Sequence, residues 1–383
     1  MTGLASSAFF AFGALLVLFG TNGTEIVERL GIDDEGLGLV GSLLSLGLGV
    51  GILVAGPLVD RLPRRPLFLF ACGIVVLSST TIGPWTDFTM LLVHSAAIGF
   101  GAGFYETVLN TLVVERAGNR ASRQLLLIHS AASLGAALTP LAVGALRGVQ
   151  GQAFIESFRL AGGLHVAIAL IAFAVVMQRP GRDEAGAKRA NPEMAGGGDP
   201  TTLAAICVAT FVYVGVETAL TIFVARHARI ELGLDAIRAD ASISAFWSGL
   251  LVGRLVAGLS PRAPGAGWVA TMATLAGGVI AAFAVGWLRE PELAMALAGL
   301  ALGHVFPILI ALAGATLPHR MGTAVGLAAS MGSLGGFVVP WLAGRIATAA
   351  DLGVAFFALA ASMALLAVSA GLAALRRAPA PLA

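Results

Sequence analysis

The sequence predicts an all-α membrane protein whose twelve transmembrane helices form two pseudo-symmetric six-helix bundles. Three observations lead to this fold class. First, 57% of the 383 residues are hydrophobic and only 11% are charged, whereas ordinary soluble proteins carry about 25% charged residues. Second, apolar segments long enough to cross a bilayer recur along the whole chain. Third, short sequence patterns of the first half recur in the same order in the second half.

The composition excludes several other classes of protein. A soluble globule with so few charged residues could not cover its surface, and a disordered chain would be far less hydrophobic. The formal net charge of +2 provides no basic field for phosphate, so we expect no nucleic-acid partner. The two cysteines, Cys72 and Cys207, each lie in an apolar run and indicate core thiols.

Twelve segments have the length and hydropathy of a spanning helix, which needs about 20 apolar residues. A stretch rich in glycine, proline and charge, 179–200, follows the sixth segment and predicts a cytoplasmic linker. It separates an N-terminal bundle, 1–178, from a C-terminal bundle, 201–383. The predicted spans are 5–24, 36–59, 67–84, 88–114, 124–146, 157–178, 201–226, 240–260, 266–288, 292–317, 321–346 and 352–375.

The distribution of basic residues predicts the orientation in the membrane. With the N-terminus inside, fourteen of the 23 Lys and Arg residues fall in or beside inside loops, eight fall outside, and Arg254 remains within a span. Cytoplasmic loops carry an excess of basic residues, so we expect both termini in the cytoplasm. The arginine-rich, nearly lysine-free composition suggests a bacterium with GC-rich DNA, and hence the inner membrane.

Internal repetition supports two related halves. A duplicated six-helix unit suggests alternating access, in which two bundles rock about a site near the bilayer midplane. The recurring patterns are G-x4-P-x3-G from Gly135 and again from Gly335, GILV at Gly51 and GLLV at Gly249, and F-x3-G-x-E at Phe19 and Phe211.

The loop between the second and third spans carries a more specific signal. Its sequence over 56–65, GPLVDRLPRR, resembles the G-x-L-x-D-R-x-x-R-R signature of the major facilitator superfamily. The resemblance implies a conformational latch formed by Asp60, Arg61, Arg64 and Arg65. Physically, a carboxylate at a helix end can meet the positive N-terminus of a neighbouring helix, and the arginines can bind acidic groups or lipid phosphates. Plain positive-inside anchoring is the alternative.

Several helices also resemble the fucose-permease-like branch of this superfamily. The resemblance spans nearly the whole chain, and it implies a proton-coupled sugar symporter. The residues that carry it are the glycine run Gly99, Gly101 and Gly103 with Glu106 and Asn110, then Leu127-Ile128-His129, the segment FVYVGVE at 211–217, Gly253-Arg254, and Gly303 before Phe306-Pro307.

Two carboxyl groups lie deep within predicted spans, Glu106 in the fourth and Glu217 in the seventh. A charged side chain at that depth is costly, rare and usually functional. Removal from water favours the neutral acid, so such a group can take a proton on one side and release it on the other. We therefore predict that both glutamates couple protons or bind substrate. The alternative is that they only hold the two bundles together by hydrogen bonds.

Polar neighbours lie on the same helix faces as these acids. Asn110 lies one turn after Glu106, and Tyr213 lies one turn before Glu217. Tyr105 directly precedes Glu106, and together with Tyr213 it accounts for both tyrosines of the chain. Carboxylates, an amide and aromatic rings together suit a sugar, so this set is the predicted substrate site.

Four further residues are weaker candidates. Asn22 and Glu25 share a helix face, and the third repeat pattern pairs Glu25 with Glu217; a simple ion pair of Glu25 with Arg29 would explain it equally well. Arg254 lies toward the cytoplasmic end of the eighth span, where it can snorkel or pair across the halves as part of a gate. His129 is a candidate for the cavity, although a lone membrane histidine is more often a packing residue.

The remaining expectations concern cofactors and partners. No pair of the six histidines has metal-ligand spacing, and no phosphate-binding loop of the ATPase type occurs. We therefore expect neither a metal nor an enzyme, with the proton gradient as the driving force. The expected partners are a small solute, protons and membrane lipids, and the expected state is a monomer. A proton-coupled exporter of drugs or lipophilic metabolites is the alternative to sugar uptake.

Overall fold

The computed structural model describes residues 2–117, 121–150, 153–175, 177, 199–259, 265–317 and 321–377. Regular secondary structure in these residues is entirely helical, as predicted. Most of the predicted linker, 179–200, lies outside the described residues. The helices are α1 (Thr2–Thr21), α2 (Gly23–Leu30), α3 (Asp34–Arg61), α4 (Arg64–Thr80), α5 (Phe88–Ala117), α6 (Ala121–Gln150), α7 (Ala153–Ala174), α8 (Pro200–Ile230), α9 (Ala236–Leu259), α10 (Ala266–Ala284), α11 (Pro291–Leu302), α12 (Val305–Thr316), α13 (Met321–Ala349) and α14 (Leu352–Arg377).

Within the described residues, ten helical segments are long and apolar enough to cross a membrane, with α11 and α12 together forming one of them. The structure thus supports a multi-pass membrane protein without confirming the predicted count of twelve spans. The two predicted spans outside this group correspond to α4, which has 17 residues, and α9, which carries three charged side chains.

Local sequence explains where several helices begin and end. Asp33 caps α3 by accepting a hydrogen bond from the amide of Gly36 at 2.8 Å, and Asp199 caps α8 in the same way through Thr201 at 3.0 Å. Helix α2 ends at Gly31, whose φ of 62° is readily adopted only by residues without a Cβ atom.

The helices of the two halves pack in the same pattern. In the first half α1 contacts α6, α3 contacts α5, and α4 contacts α7. In the second half the corresponding contacts are α8 with α13, α9 with α11, and α10 with α14. Between the halves, α3 packs on α13 and α6 packs on α9. Each of these arrangements has its counterpart in the other half, so the packing is pseudo-symmetric.

Glycines bring the paired helices into backbone contact. A Cβ atom at Gly135 would lie 2.0 Å from the carbonyl oxygen of Phe10, and one at Gly335 would lie 1.9 Å from that of Phe211. Only glycine permits such an approach. Gly135 and Gly335 therefore occupy equivalent places in the two halves, in agreement with the first repeat pattern.

The other two repeat patterns were assigned the wrong register. The packing pairs Gly47 with Gly249, since these meet the oxygens of Ala96 and Ala296. Gly51, which the sequence pattern aligned with Gly249, is thus one helical turn out of register. Glycine and leucine are so frequent here that a four-residue pattern does not fix the alignment.

A similar correction applies to the first helix. Because Phe10 and Phe211 make equivalent contacts, the counterpart of Phe211 is Phe10, not Phe19. The pairing of Glu25 with Glu217 is therefore wrong, and the residue that corresponds to Glu217 is Leu16.

One end of the molecule is closed by ion pairs between the halves. Arg147 of α6 pairs with Asp240 of α9, and Asp34 of α3 pairs with Arg226 of α8. Glu35 lies 3.7 Å from Arg345 of α13 (Oε1 to Nε), and its backbone amide donates to the hydroxyl of Thr348. We call the helix ends that carry these three ion pairs the closed end. It lies opposite the loop of Arg61 to Arg65.

Candidate functional site

A cavity of about 190 Å³ lies between the two halves. Helices α1, α3, α5 and α6 line it from the first half, and α8, α9, α12 and α13 line it from the second. A cavity of about 150 Å³ already holds benzene, so a six-membered ring fits here. The ionisable residues of its wall are Glu106, His129, Glu217 and Arg254.

Glu217 and Arg254 form the charged pair of the second half. Nη2 of Arg254 lies 3.7 Å from Oε1 of Glu217, and the hydroxyl of Tyr213 donates to the same oxygen at 3.0 Å. Both charged side chains are largely removed from solvent, with 11% of Arg254 and 16% of Glu217 exposed. Tyr213 stacks on Phe306, with 6.1 Å between the ring centroids.

Arg254 also bridges the two halves. Its Nη1 donates to the hydroxyl oxygen of Ser133 on α6 at 2.5 Å, and its Nε donates to the carbonyl oxygen of Gly303 at 3.0 Å. The helix breaks at Gly303 and resumes in α12, and Pro307 lacks the amide hydrogen that would bond this carbonyl in a continuous helix. The break therefore provides the acceptor that orients Arg254. The sequence expectation of pairing across the halves agrees with this geometry.

Glu106 projects from α5 into the opposite side of the cavity. Asn110 follows one turn later on α5, and its buried Oδ1 has no hydrogen-bond partner. No ion pair to Glu106 occurs among the described residues. The cavity thus contains one carboxyl group beside a cation and a second one without.

His129 lies in the wall of the cavity formed by α6. Its ring packs edge-on against Phe9, with 4.7 Å between centroids. The sequence prediction of a cavity position agrees with this placement, and the aromatic contact shows that the residue also has a packing role.

Asn110 and Tyr213 do not line the cavity themselves; each lies one helical turn from a glutamate that does, Glu106 and Glu217 respectively.

Three further predicted site residues do not line this cavity either. Tyr105 is fully buried, and its hydroxyl lies 3.3 Å from Nε2 of His165. Successive residues of a helix point about 100° apart, so Tyr105 cannot share the direction of Glu106. Asn22 is buried at the end of α1 and donates to the hydroxyl of Ser157 at 3.1 Å. These contacts are structural, in contrast to the expected substrate contacts.

Glu25 is the third of them. It belongs to α2, beyond the spanning segment Gly3–Thr21, and lies at the closed end. Burial raises the pKa of its carboxyl group, while the positive charge of Arg147 acts in the opposite direction. No ion pair joins Glu25 to Arg29 among the described residues; the guanidinium of Arg29 lies over the ring of Phe154 instead, 6.0 Å from its centroid.

The arginines of the 56–65 loop hold the first half together. Arg64 is buried and pairs with Glu115 of α5 at 2.5 Å, and Nη2 of Arg65 donates to the carbonyl oxygen of Val175 at 2.8 Å. Arg61 is exposed, and the side chain of Asp60 lies outside the described residues. A latch function for this loop stays a prediction.

Sequence reasoning missed Trp247 and Asp240. Trp247 lines the cavity, and its Nε1 donates to the hydroxyl of Thr221 at 3.3 Å. The available signal was its spacing of seven residues, or two turns, from Arg254 on one helix face. Asp240 is the first residue of the predicted span 240–260, where a charged residue is ordinary, yet only 1% of it is exposed and it pairs across the halves.

The cavity wall is chemically asymmetric. Under the packing symmetry Glu106 corresponds to Phe306, and Leu16 corresponds to Glu217. Arg254 corresponds in the same way to Ile52. Each charged group therefore has an apolar counterpart in the other half, so the two halves contribute different chemistry to one site.

Two pseudo-symmetric helical halves around a central cavity with buried ionisable groups define a membrane transporter. The chain belongs to the Major Facilitator Superfamily, whose family model matches residues 4–340. The superfamily membership predicted from the sequence is confirmed, and the family is one of transporters.

Comparisons with individual proteins agree with this assignment. The chain is 22% identical to the glucose/mannose transporter GlcP of Bacillus subtilis, over 88% of this chain and 85% of the relative. Its fold is similar to a bacterial homolog of the human lysosomal transporter Spinster, in an inward-facing and occupied conformation (TM-score 0.81, 14% identity, 99% and 98% of the two chains). It is also similar to a D-xylose-proton symporter (TM-score 0.78, 14% identity, 96% and 95%).

Proposed function

We propose that this protein is a secondary active transporter that couples the uptake of a sugar, or a similar small polar solute, to protons. The observation that carries the proposal is the placement of two carboxyl groups, Glu106 and Glu217, in one cavity between the halves. Carboxyl groups in this position can bind both a proton and the hydroxyl groups of a solute.

The two acids have different environments and therefore different roles. Glu217 lies beside Arg254, so its ionised form has a partner. Glu106 has no such partner among the described residues. Because an unpaired buried carboxylate is costly, Glu106 binds its proton firmly, whereas the charge of Glu217 can respond to what occupies the cavity. The similar proteins described above are a glucose/mannose transporter and a D-xylose-proton symporter, which supports a sugar as the solute.

The proposal includes the membrane arrangement. We propose twelve spans divided between bundles 1–178 and 201–383 with the linker 179–200 between them, and both termini in the cytoplasm of a bacterial cell. The closed end then faces outward, and the molecule is in an inward-facing state. The excess of basic residues in the loops assigned to the inside supports this orientation. We further propose that one chain is the functional unit.

External pH in a lightly buffered, de-energised suspension of vesicles tests the function. Hexoses, pentoses, polyols and sugar acids are added in turn, and proton symport with one of them makes the outside medium more alkaline. We expect Glu217→Gln and Glu106→Gln to abolish proton-driven accumulation of that solute. Glutamine keeps the size of the side chain and removes the titratable proton.

Glu28→Gln is the matched control, because Glu28 is an exposed acid of α2 at the closed end. It should leave the pH response unchanged. Undiminished accumulation in both Glu217→Gln and Glu106→Gln, or a flat trace with every solute, would contradict the proposal.

A proton-coupled exporter of lipophilic compounds is the second candidate. The observation that favours it is the apolar part of the cavity wall, formed by Leu44, Leu48, Ile52 and Phe306 among others. Two buried acids also suit a cationic cargo. Reduced retention of a fluorescent lipophilic cation in expressing cells, abolished by Glu106→Gln, would support this candidate over sugar uptake.

A further inference from the structure

Arg254 is the one cation at neutral pH among the described residues that line the cavity. It faces Glu106 on α5, His129 on α6 and Glu217 on α8, while its own helix adds Trp247. An imidazole of ordinary pKa is mostly uncharged at pH 7. The charge of the site therefore depends on Arg254 and the two glutamates.

The pair of Arg254 and Glu217 is loose. The 3.7 Å between Nη2 and Oε1 exceeds the length of a hydrogen bond. The firm hydrogen bonds of Arg254 are those to Ser133 and Gly303, which hold the guanidinium in place without its carboxylate partner. Nη2 can thus donate a hydrogen bond to another acceptor, because the carboxylate of Glu217 is too far away to accept one.

Before a solute binds, the expected charges in the cavity sum to zero. Glu217 and Arg254 lie beside each other and contribute one negative and one positive charge. Glu106 has no cation beside it among the described residues, and because an unpaired buried carboxylate is costly, we expect its neutral acid form.

Loading the cavity with a proton and a neutral sugar would disturb this balance. A proton on Glu217 would leave the charge of Arg254 without a counter-ion. If the solute itself carries one carboxylate, the solute replaces Glu217 as the partner of Arg254 and the site stays neutral. A guanidinium has five N–H groups, so Arg254 still has N–H groups for a carboxylate besides those that bind Ser133 and Gly303, and carboxylates are the acceptors that arginine binds most strongly.

We infer that the solute is a sugar acid, a polyhydroxylated monocarboxylate, whose carboxylate binds Arg254 in place of Glu217. This inference rests on the proposed function and names the class of its solute. The hydroxyl groups of such a solute can bond with Ser45, Thr218 and Ser333 in the wall. The two asparagines of the described residues, Asn22 and Asn110, do not line the cavity, so the wall has no amide of the kind expected for a neutral sugar.

The proton balance follows directly. One proton moves from the aqueous side to Glu217 as one carboxylate enters, and both leave on the other side. Transport is then electroneutral, with one proton for each monoanion. A neutral sugar carried with one proton would instead move one positive charge across the membrane.

These cases are distinguished by measuring uptake of D-glucuronate and of D-glucose into liposomes that contain the purified protein. The two solutes differ only in that D-glucuronate has a carboxylate in place of a hydroxymethyl group. We expect an imposed pH gradient to drive uptake of D-glucuronate at least tenfold faster than uptake of D-glucose. A potassium diffusion potential set with valinomycin, at equal pH on both sides, should drive neither.

Two substitutions test the role of Arg254. Arg254→Gln should reduce D-glucuronate uptake at least fiftyfold. Arg254→Lys keeps the positive charge but lacks the planar guanidinium, so it should retain more of the uptake than Arg254→Gln. Arg289→Gln, which removes an exposed arginine at the closed end, should match the unmodified protein. The preference between the two sugars is measured in the unmodified protein and does not depend on how well any variant folds.

Proton-coupled uptake of D-glucose without uptake of D-glucuronate would overturn the inference and leave the symporter proposal standing. Uptake of D-glucuronate driven by the electrical potential alone would also overturn it. If neither compound, nor D-xylose or D-gluconate, is taken up under a pH gradient, both the inference and the proposed function fail.

Discussion

At the scale of single residues, the site depends on which charges have partners. Arg254 has acceptors from both halves, and Glu217 has the hydroxyl of Tyr213. Glu106 has no ion-pair partner among the described residues. Breaking one side of a buried pair costs about 3–5 kcal/mol, so a solute that supplies the missing charge has a large effect on the energy of each state.

Glu25 provides a residue-scale prediction outside the membrane. Burial raises the pKa of its carboxyl group in the folded protein, so ionisation of Glu25 opposes folding above that pKa. The penalty disappears as the pH falls to the ordinary value of 4.5. We therefore expect Glu25→Gln to raise Tm at pH 8 by about 1 °C and to leave it unchanged at pH 4.5, as measured by thermal unfolding in detergent.

Glu28→Gln serves as the control for this measurement, because Glu28 is exposed on the same helix. It should change Tm equally at both pH values. A lower Tm for Glu25→Gln at pH 8 would mean that the attraction of Arg147 outweighs burial.

The sequence predicts the ionisable residues of the site better than its neutral ones. Charges within apolar segments are conspicuous, so Glu106, Glu217 and Arg254 were found. Tyr105 was included wrongly because adjacency in sequence was taken for adjacency in space. Trp247 was missed because an aromatic residue in an apolar helix gives no contrast in hydropathy.

At the scale of helices, glycines determine how closely the bundles pack. The Cβ positions at Gly13 and Gly335 would lie 1.8 and 1.9 Å from carbonyl oxygens of the neighbouring helix. Backbone atoms cannot rotate away as a flexible side chain can. Substitution at such a position must therefore move a whole helix.

We expect Gly335→Ala to destabilise the protein, by about 1–3 kcal/mol or more, because the added methyl group meets the oxygen of Phe211. The matched control is Gly326→Ala on the same helix, where nothing lies within 4 Å of the added atom. That change should be neutral or stabilising by about 0.5–1 kcal/mol. Chemical denaturation in detergent measures both, and equal stability of the two variants would contradict the close-contact argument.

Hydropathy predicts the helical class and the positions of the long apolar helices, whereas it fixes neither the count of spans nor the register. The G-x4-P-x3-G pattern aligned α6 with α13 correctly because it combines proline with spaced glycines. The GILV and F-x3-G-x-E patterns failed because they consist of the residues most common in this chain. The sequence also does not reveal the break between α11 and α12, because the apolar segment continues through it.

At the scale of the whole molecule, the proposed alternating access makes the closed end and the cavity parts of one two-state system. The ion pair of Arg147 with Asp240 joins α6 to α9, and Nη2 of Arg147 donates in addition to the carbonyl oxygen of Thr21 at 2.7 Å. Alternating access requires these contacts to break when the opposite end closes. Their strength therefore sets the resting population of the two states.

We expect Arg147→Gln to shift that population toward the state in which the closed end is open. The substitution leaves Asp240 buried without a cation, a change of about 3–5 kcal/mol, or roughly 150-fold to 5,000-fold in a two-state equilibrium. Spin labels at Glu28 and Ala350, exposed residues of the two halves at this end, should report a longer distance by double electron–electron resonance.

Arg159→Gln is the control, because Arg159 forms its ion pair with Glu156 within one half. The distance between the labels should then stay as in the unmodified protein. An unchanged distance in Arg147→Gln as well would show that the ion pair does not hold the closed end. Both native cysteines are buried, which limits unwanted labelling.

Pro307 affects the position of a charged residue of the cavity, although a list of charged residues would not include it. It carries no charge and acts only by withholding an amide hydrogen from Gly303, whose oxygen then anchors Arg254. A relative with alanine at this position would keep every ionisable group of the cavity, yet its guanidinium would compete with the new amide hydrogen for the oxygen of Gly303 and would depend mainly on the hydroxyl of Ser133. Substrate preference among such relatives would then diverge without any change in their charged side chains.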